Sequence, residues 1–158
     1  MSHITTIELE ETKLVGLSLK IKTTNADGQS NIDCGDLWQE FETEKYAELI
    51  PNKLTDEILA VYHQYDGDHT LPFSYFIGCK VQPDSIVVPP GLETLTIPKG
   101  TYQKIDAKGK MPDCVANAWK EIWVSAIPRS YIMDFEVYDE RSKDWSNAEV
   151  DVYLSIEN

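Results

Sequence analysis

The sequence predicts an α+β fold: a duplicated strand–helix–strand–strand unit with pseudo-two-fold symmetry and a ligand cleft between the halves. Short runs alternate apolar and polar residues with the period of a β-strand. Two longer runs place large apolar residues at helical spacing. These elements follow one another in the same order twice, on either side of QPDSIVVPPG, Gln82 to Gly91. The Pro89-Pro90-Gly91 run in that segment suits an extended crossover.

In the first copy, TKLVGLSLKIK (Thr12 to Lys22) alternates β-branched and apolar residues and reads as a strand. TTNADGQSN follows, rich in turn formers. The run from Asp33 to Ile50 reads as a helix, with Leu37, Trp38 and Phe41 near helical spacing, Asp33 or Asp36 as its cap, and Pro51 at its end. EILAVYHQY and PFSYFIGCKV read as two strands around the polar turn DGDH. In the second copy, Leu92 to Ala107 is one strand, interrupted or entered at Pro98. Pro112 to Ile127 is a helix, and MDFEVYDER and AEVDVYLSI close the unit. About eight strands and two main helices are expected in all. The halves span about 1–82 and 92–158 of a single domain, 1–158.

The copies align. Gly16–Ile21 falls on Gly100–Ile105, Leu37–Phe41 on Ala118–Ile122, and Ala60–Asp66 on Glu136–Ser142. Trp38 thereby matches Trp119, Tyr62 matches Tyr138, and Ala60 stands where the other half has Glu136. Each half covers one face of its strands with its helix, and the opposite face is left for a cleft at the junction. In YIMDFEVYDER, strand alternation puts Met133, Phe135 and Val137 on a core face and Glu136 and Tyr138, with Asp134, on the other. A carboxylate mid-strand among aromatics then faces either water or a pocket in which it meets a cation.

Composition narrows the functions. The chain carries 27 Asp and Glu against 14 Lys and Arg, a formal net charge of -13, so it repels nucleic-acid phosphates and direct nucleic-acid binding is not expected. Cys34, Cys79 and Cys114 form no C-x-x-C pair, and His3, His63 and His69 are scattered, so neither a disulfide framework nor a metal site is expected. There is no phosphate loop or other cofactor motif, and no cofactor is expected. The first residues, MSHITTIELEE, lack the basic and apolar runs of a signal peptide. Nothing reaches the length of a membrane span, so the expectation is a cytoplasmic protein. Exposed strand edges offer pairing to a protein partner or a second copy of the chain.

The segments IPKGTYQKI, VANAWKEIWVSAIPRSYIMDFEVYDE and AEVDVYLSI resemble the GyrI-like small-molecule-binding domain, also known as the effector-binding domain of AraC-type and MerR-type regulators of multidrug response. The most specific parts are AWKEIW (Ala118 to Trp123) and Y-x-x-DFE-x-Y (Tyr131 to Tyr138). The resemblance implies a pocket between the halves for amphipathic, cationic aromatic compounds, with a buried glutamate meeting the positive charge. The matching residue is Glu136. Candidate pocket residues around it are Tyr138, Tyr102, Trp119 and Trp123 in the second half, and Tyr62, Phe76 and Trp38 in the first. One of Trp119 and Trp123 is expected in the core and the other on the pocket wall. The expected role is a stand-alone binder of a hydrophobic cation, without the helix-turn-helix of the fused regulators. Two alternatives come with the resemblance: a hydrolase of strained-ring compounds using Glu136 as general base, and an acidic inhibitor of a DNA gyrase.

Overall fold

The computed structural model describes residues 4–157, so His3 lies outside the described residues. Eight strands form one antiparallel sheet: β1 (Ile4–Leu9), β2 (Thr12–Ser18), β3 (Ile58–His63), β4 (Ser74–Lys80), β5 (Glu93–Ile97), β6 (Gly100–Gly109), β7 (Met133–Tyr138) and β8 (Ala148–Ser155). Their spatial order is β1-β6-β8-β7-β3-β4-β2-β5. Exchanging the first four strands for the last four reverses that order into itself, which is the signature of the duplication. The total of eight strands is the expected one, with four in each unit where the strand–helix–strand–strand pattern names three. Ile4–Leu9 is a strand in its own right, and the run from Leu92 to Ala107 divides into β5 and β6. Pro98, which has no N–H to give a ladder, sits at that division.

Each unit lends its first strand to the other. β1 pairs with β6, and β5 pairs with β2. Only Glu10 and Glu11 join β1 to β2, and only Pro98 and Lys99 join β5 to β6. Three Cα steps of about 3.8 Å bridge each gap. The two ends of the sheet must therefore approach each other, and the sheet curls over its helix-free face. The inside of the curl is packed by Leu14, Leu59, Val61, Phe76, Ile97, Tyr102, Met133, Phe135 and Val137, with Ile7, Leu9 and Leu95 from the edge strands.

That curl needs close backbone approach at one point. Gly16 of β2 lies opposite Gly78 of β4. A Cβ on Gly16 would stand 2.1 Å from the Ile77 carbonyl oxygen and 2.5 Å from the Gly78 Cα, both backbone atoms that cannot rotate away. Gly16→Ala is expected to destabilise the fold by about 1–3 kcal/mol through overpacking. Chemical denaturation checks this as a lower midpoint at unchanged slope.

The helices lie on the other face. α1 (Gln29–Thr43) packs Leu37 and Phe41 on β2 and β4, and α3 (Asp113–Trp123) packs Val115, Ala118, Trp119 and Ile122 on β6 and β8. This corrects the expectation that the cleft would open on the face away from the helices. Both helices share the face of Glu136, and each covers the outer strands of its own half. The gap between them falls over the central pair, β3 and β7. α1 also begins a turn before the expected caps, after Gly28 in the left-handed region (φ 72°). Asp33 is inside the helix, where it accepts from the Thr23 hydroxyl at 2.7 Å. Lys45 (φ 54°) breaks the run before Pro51, leaving the short α2 (Tyr46–Leu49). Among the described residues, no helix is long and apolar enough to cross a membrane.

Candidate functional site: an aromatic cavity around Glu136

Strands β3 and β7 pair with Ala60 opposite Glu136, Tyr62 opposite Asp134 and Ile58 opposite Tyr138. Because the sequence overlay makes Ala60 equivalent to Glu136, the pseudo-two-fold axis passes between these two residues. Directly opposed residues have Cα atoms about 4.5–5.5 Å apart. Two glutamates there would oppose like charges in a buried site. One carboxylate on the axis is what the position holds without repulsion, and this accounts for the Ala60–Glu136 asymmetry.

Glu136 is 1 % exposed. Three neutral donors hold it. The Tyr62 hydroxyl donates to Oε2 at 2.8 Å, the Trp119 indole N–H to Oε2 at 2.5 Å, and the Tyr138 hydroxyl to Oε1 at 2.6 Å. No lysine or arginine pairs with it among the described ion pairs. Burial raises its pKa above the usual carboxylate range, and the bonds from Tyr138, Trp119 and Tyr62 offset part of that rise. Tyr62 and Tyr138, equivalent in the duplication, approach the same carboxylate from the two halves. Their counterpart tryptophans diverge: Trp119 reaches Glu136, and Trp38 donates to the Tyr75 hydroxyl at 2.8 Å.

The gap between the helices is a cavity of about 380 Å³. Six of the eight candidate residues line it: Trp38, Tyr62, Trp119, Trp123, Glu136 and Tyr138. Both tryptophans of α3 contribute, where one had been expected. They are four residues apart on one helical face, so both point the same way. Trp119 is the buried one, and Trp123 stacks on the His69 ring at 5.4 Å and 7°. Aromatic contacts tie the wall together: Trp38 to Tyr138 and Tyr62 to Tyr75, both edge-on, and Tyr62 to Trp119, tilted, all have ring centroids 4.9 Å apart.

Tyr102 and Phe76 are not brought to the cavity. Each is 1 % exposed inside the curl of the sheet. Tyr102 packs edge-on against Phe135 and donates its hydroxyl to the Pro98 carbonyl at 2.7 Å. Phe76 is paired with Val61, so strand alternation sends it inward and sends Tyr75 to the cavity. β4 is buried on both faces, and such a strand shows no apolar–polar alternation from which to read its facing.

Sequence reasoning missed a second polar centre beside the first. Asp134, 0 % exposed, accepts from Arg129 Nη2 at 2.6 Å, the Tyr65 hydroxyl at 2.6 Å, and the Ser155 N–H and hydroxyl at 2.9 and 3.2 Å. Arg129 and Tyr65 also line the cavity. The parity of β7 placed Asp134 on the Glu136 face. Arg129 lies in the irregular segment before the strand, where periodicity carries no signal. Cys34 is on the cavity wall too, and burial, followed by the nearby Glu136 charge, pushes its thiol far above the usual range. It is therefore protonated at neutral pH and a poor nucleophile.

A curled antiparallel sheet whose two helices flank an aromatic cavity, with polar groups converging at its floor, defines a small-molecule-binding protein. The family model described as "Cass2: Integron-associated effector binding protein" matches residues 5–156, and the chain belongs to this family of effector-binding proteins. YobU of Bacillus subtilis (strain 168), provisionally named a transcriptional regulator, is 27% identical over 160 residues, covering 98% of this chain and 97% of its own. Two solved structures share the fold. The integron cassette protein VCH_CASS2 from the mobile metagenome of Vibrio cholerae has a TM-score of 0.72 at 23% identity, covering 98% of this chain and 95% of that one. SAV2435, solved bound to tetraphenylphosphonium, has a TM-score of 0.79 at 16% identity, covering 99% and 94%.

Proposed function

We propose that the chain binds amphipathic aromatic cations in the cavity between α1 and α3, and that Glu136 supplies the counter-charge. One observation carries the reading: a fully buried carboxylate at the floor of an aromatic cavity, held by three neutral donors and, among the described residues, by no cation. Such a group is costly to bury without a partner, and a ligand cation removes that cost. The surrounding ring faces add about 0.5–2 kcal/mol each where a cation sits over them. The tetraphenylphosphonium held by SAV2435 is a ligand of this class and supports the reading by analogy of fold. The three donors also argue for binding over hydrolysis by Glu136. They occupy most of the lone-pair positions that a general base needs free for water.

Titration with tetraphenylphosphonium is the test. Trp38, Trp119 and Trp123 line the cavity, so saturable quenching or shift of the tryptophan emission is expected. Emission that stays unaltered at saturating ligand contradicts the reading.

The affinity should depend on pH in a defined direction. A cation binds the ionised form of Glu136, whose pKa is raised. Affinity for the cation is therefore full above that raised value and falls as pH drops through it, towards tenfold per pH unit. Without ligand the sign reverses. Protonation is then easier in the folded than in the unfolded chain, so Glu136 weakens the fold at neutral pH; that penalty begins to shrink as pH falls below the raised value and is gone below the ordinary carboxylate value of the unfolded chain. A neutral ligand should show no such loss.

A further inference from the structure

Arg129 makes fewer contacts than its burial calls for. Its side chain is 4 % exposed, and it lines the cavity. Nη2 donates to Asp134, but Nε and Nη1 are buried with no acceptor among the described residues. The guanidinium lies over two ring faces, 4.2 Å from the Tyr131 centroid and 5.6 Å from that of Trp119. Rings hold its charge but accept little from its N–H groups. His69, also on the cavity wall, has Nδ1 buried and unpartnered, and in its Nδ1–H tautomer it adds a further donor there. Its place is fixed from both ends, by the stack on Trp123 and by the Asn25 amide donating to its carbonyl at 2.8 Å. Tyr131, which covers the guanidinium, is in the left-handed region (φ 53°), an uncommon and strained conformation for an aromatic residue.

Buried donors in native proteins nearly always have partners, and exceptions at a cavity point to a ligand group or a water that completes them. The Trp119 indole connects this place to the first one: its N–H donates to Glu136, and its face carries the Arg129 guanidinium. Asp134 already balances the charge of Arg129. What the place lacks is an acceptor oxygen rather than a second anion.

We infer that the cavity has a second recognition point, an acceptor subsite at Arg129 assisted by His69. Its ligand is a cation that also carries a carbonyl or carboxylate oxygen, about one aromatic ring away from the positive centre. This rests on the proposal that the cavity binds cations at Glu136. Glu136 then selects for charge, while Arg129 fixes which end of an elongated ligand enters first. A symmetric cation lacking an acceptor uses only half of the site.

The experiment compares three probes by isothermal titration: tetraphenylphosphonium, (4-carboxyphenyl)triphenylphosphonium and the methyl ester of the latter. The proteins are wild type, Arg129→Lys, which keeps a cation for Asp134 but lacks the fork of N–H donors, and His69→Phe, which keeps the stack on Trp123. At least one acceptor-bearing probe is expected to bind the wild type about tenfold more tightly than tetraphenylphosphonium. That ratio should collapse towards unity in Arg129→Lys and shrink in His69→Phe. Equal affinities for all three probes in the wild type would mean that water already completes the donors, and would overturn the subsite. So would a ratio that survives both substitutions. If Arg129→Lys does not fold, the wild-type ratio and His69→Phe decide. Tetraphenylphosphonium that binds with no gain from the acceptor sinks the subsite alone, whereas no binding by any probe sinks the cation reading along with it.

Discussion

Glu136→Gln is expected to weaken a lipophilic cation by about ten- to a hundredfold, which corresponds to the roughly 1.5–3 kcal/mol of a charge-assisted contact. The substitution keeps the shape of the side chain and its acceptor oxygen. The amide group replaces the second carboxylate oxygen, and the Tyr138 hydroxyl, now facing Oε1 at 2.6 Å, rotates to accept where it had donated. What disappears is the negative charge at the floor of the cavity. The loss reaches tens of fold because Glu136 is 1 % exposed: water does not screen it, and no lysine or arginine among the described residues shares it. The same substitution should leave the unliganded protein as stable as the wild type or more so at neutral pH, since it removes an uncompensated buried charge. Lost affinity together with retained stability distinguishes a binding residue from a packing residue.

Asp134→Ala is expected to have the opposite profile. It removes the one carboxylate that pairs with Arg129 among the described residues, and the Arg129 side chain is 4 % exposed. It also strands the Tyr65 hydroxyl and the Ser155 N–H, both of which donate to Asp134. Breaking a buried pair by deleting one partner destabilises by about 3–5 kcal/mol. For a chain of this length each kcal/mol is worth roughly 2–4 °C of Tm, so the melting point should fall by about 6–20 °C. Replacing both partners with apolar residues, Arg129→Met with Asp134→Leu, should recover much of that loss, because an apolar pair leaves no charge unpaired. Differential scanning calorimetry of the two variants checks both statements. A melting point within 2 °C of wild type for Asp134→Ala, a margin on the order of one surface substitution, would mean that Arg129 finds another partner.

The architecture was largely legible because its signals are local and repeated. Trp38 on Trp119 and Tyr62 on Tyr138 announced the duplication, and the alternation of MDFEVY separated Glu136 from Phe135 and Val137. The exchange of β1 and β5 between halves was not legible, because the pairing of edge strands depends on the curl of the whole sheet and not on any one strand. The side of the sheet taken by the helices was misjudged for a related reason. Phe135 and Val137 looked like the helix-covered core, but they are buried by the sheet closing on itself. Sequence reasoning led to the cavity wall wherever a candidate sat on a helix or on a strand with two distinguishable faces. It failed at Phe76 and Tyr102, whose strands bury large residues on both sides, and at Arg129, which no periodicity governs.

Under the proposed function, the charge of Glu136, and not its bulk or its hydrogen bonds, gives the cavity its preference for cations. A thermodynamic cycle isolates that charge: an aryl trimethylammonium compound and its neutral tert-butyl isostere, each titrated calorimetrically into wild type and Glu136→Gln at a pH above the raised carboxylate pKa. The predicted result is a loss of about ten- to a hundredfold for the ammonium compound with the isostere unchanged. Equal losses for both ligands, or none for either, would contradict it.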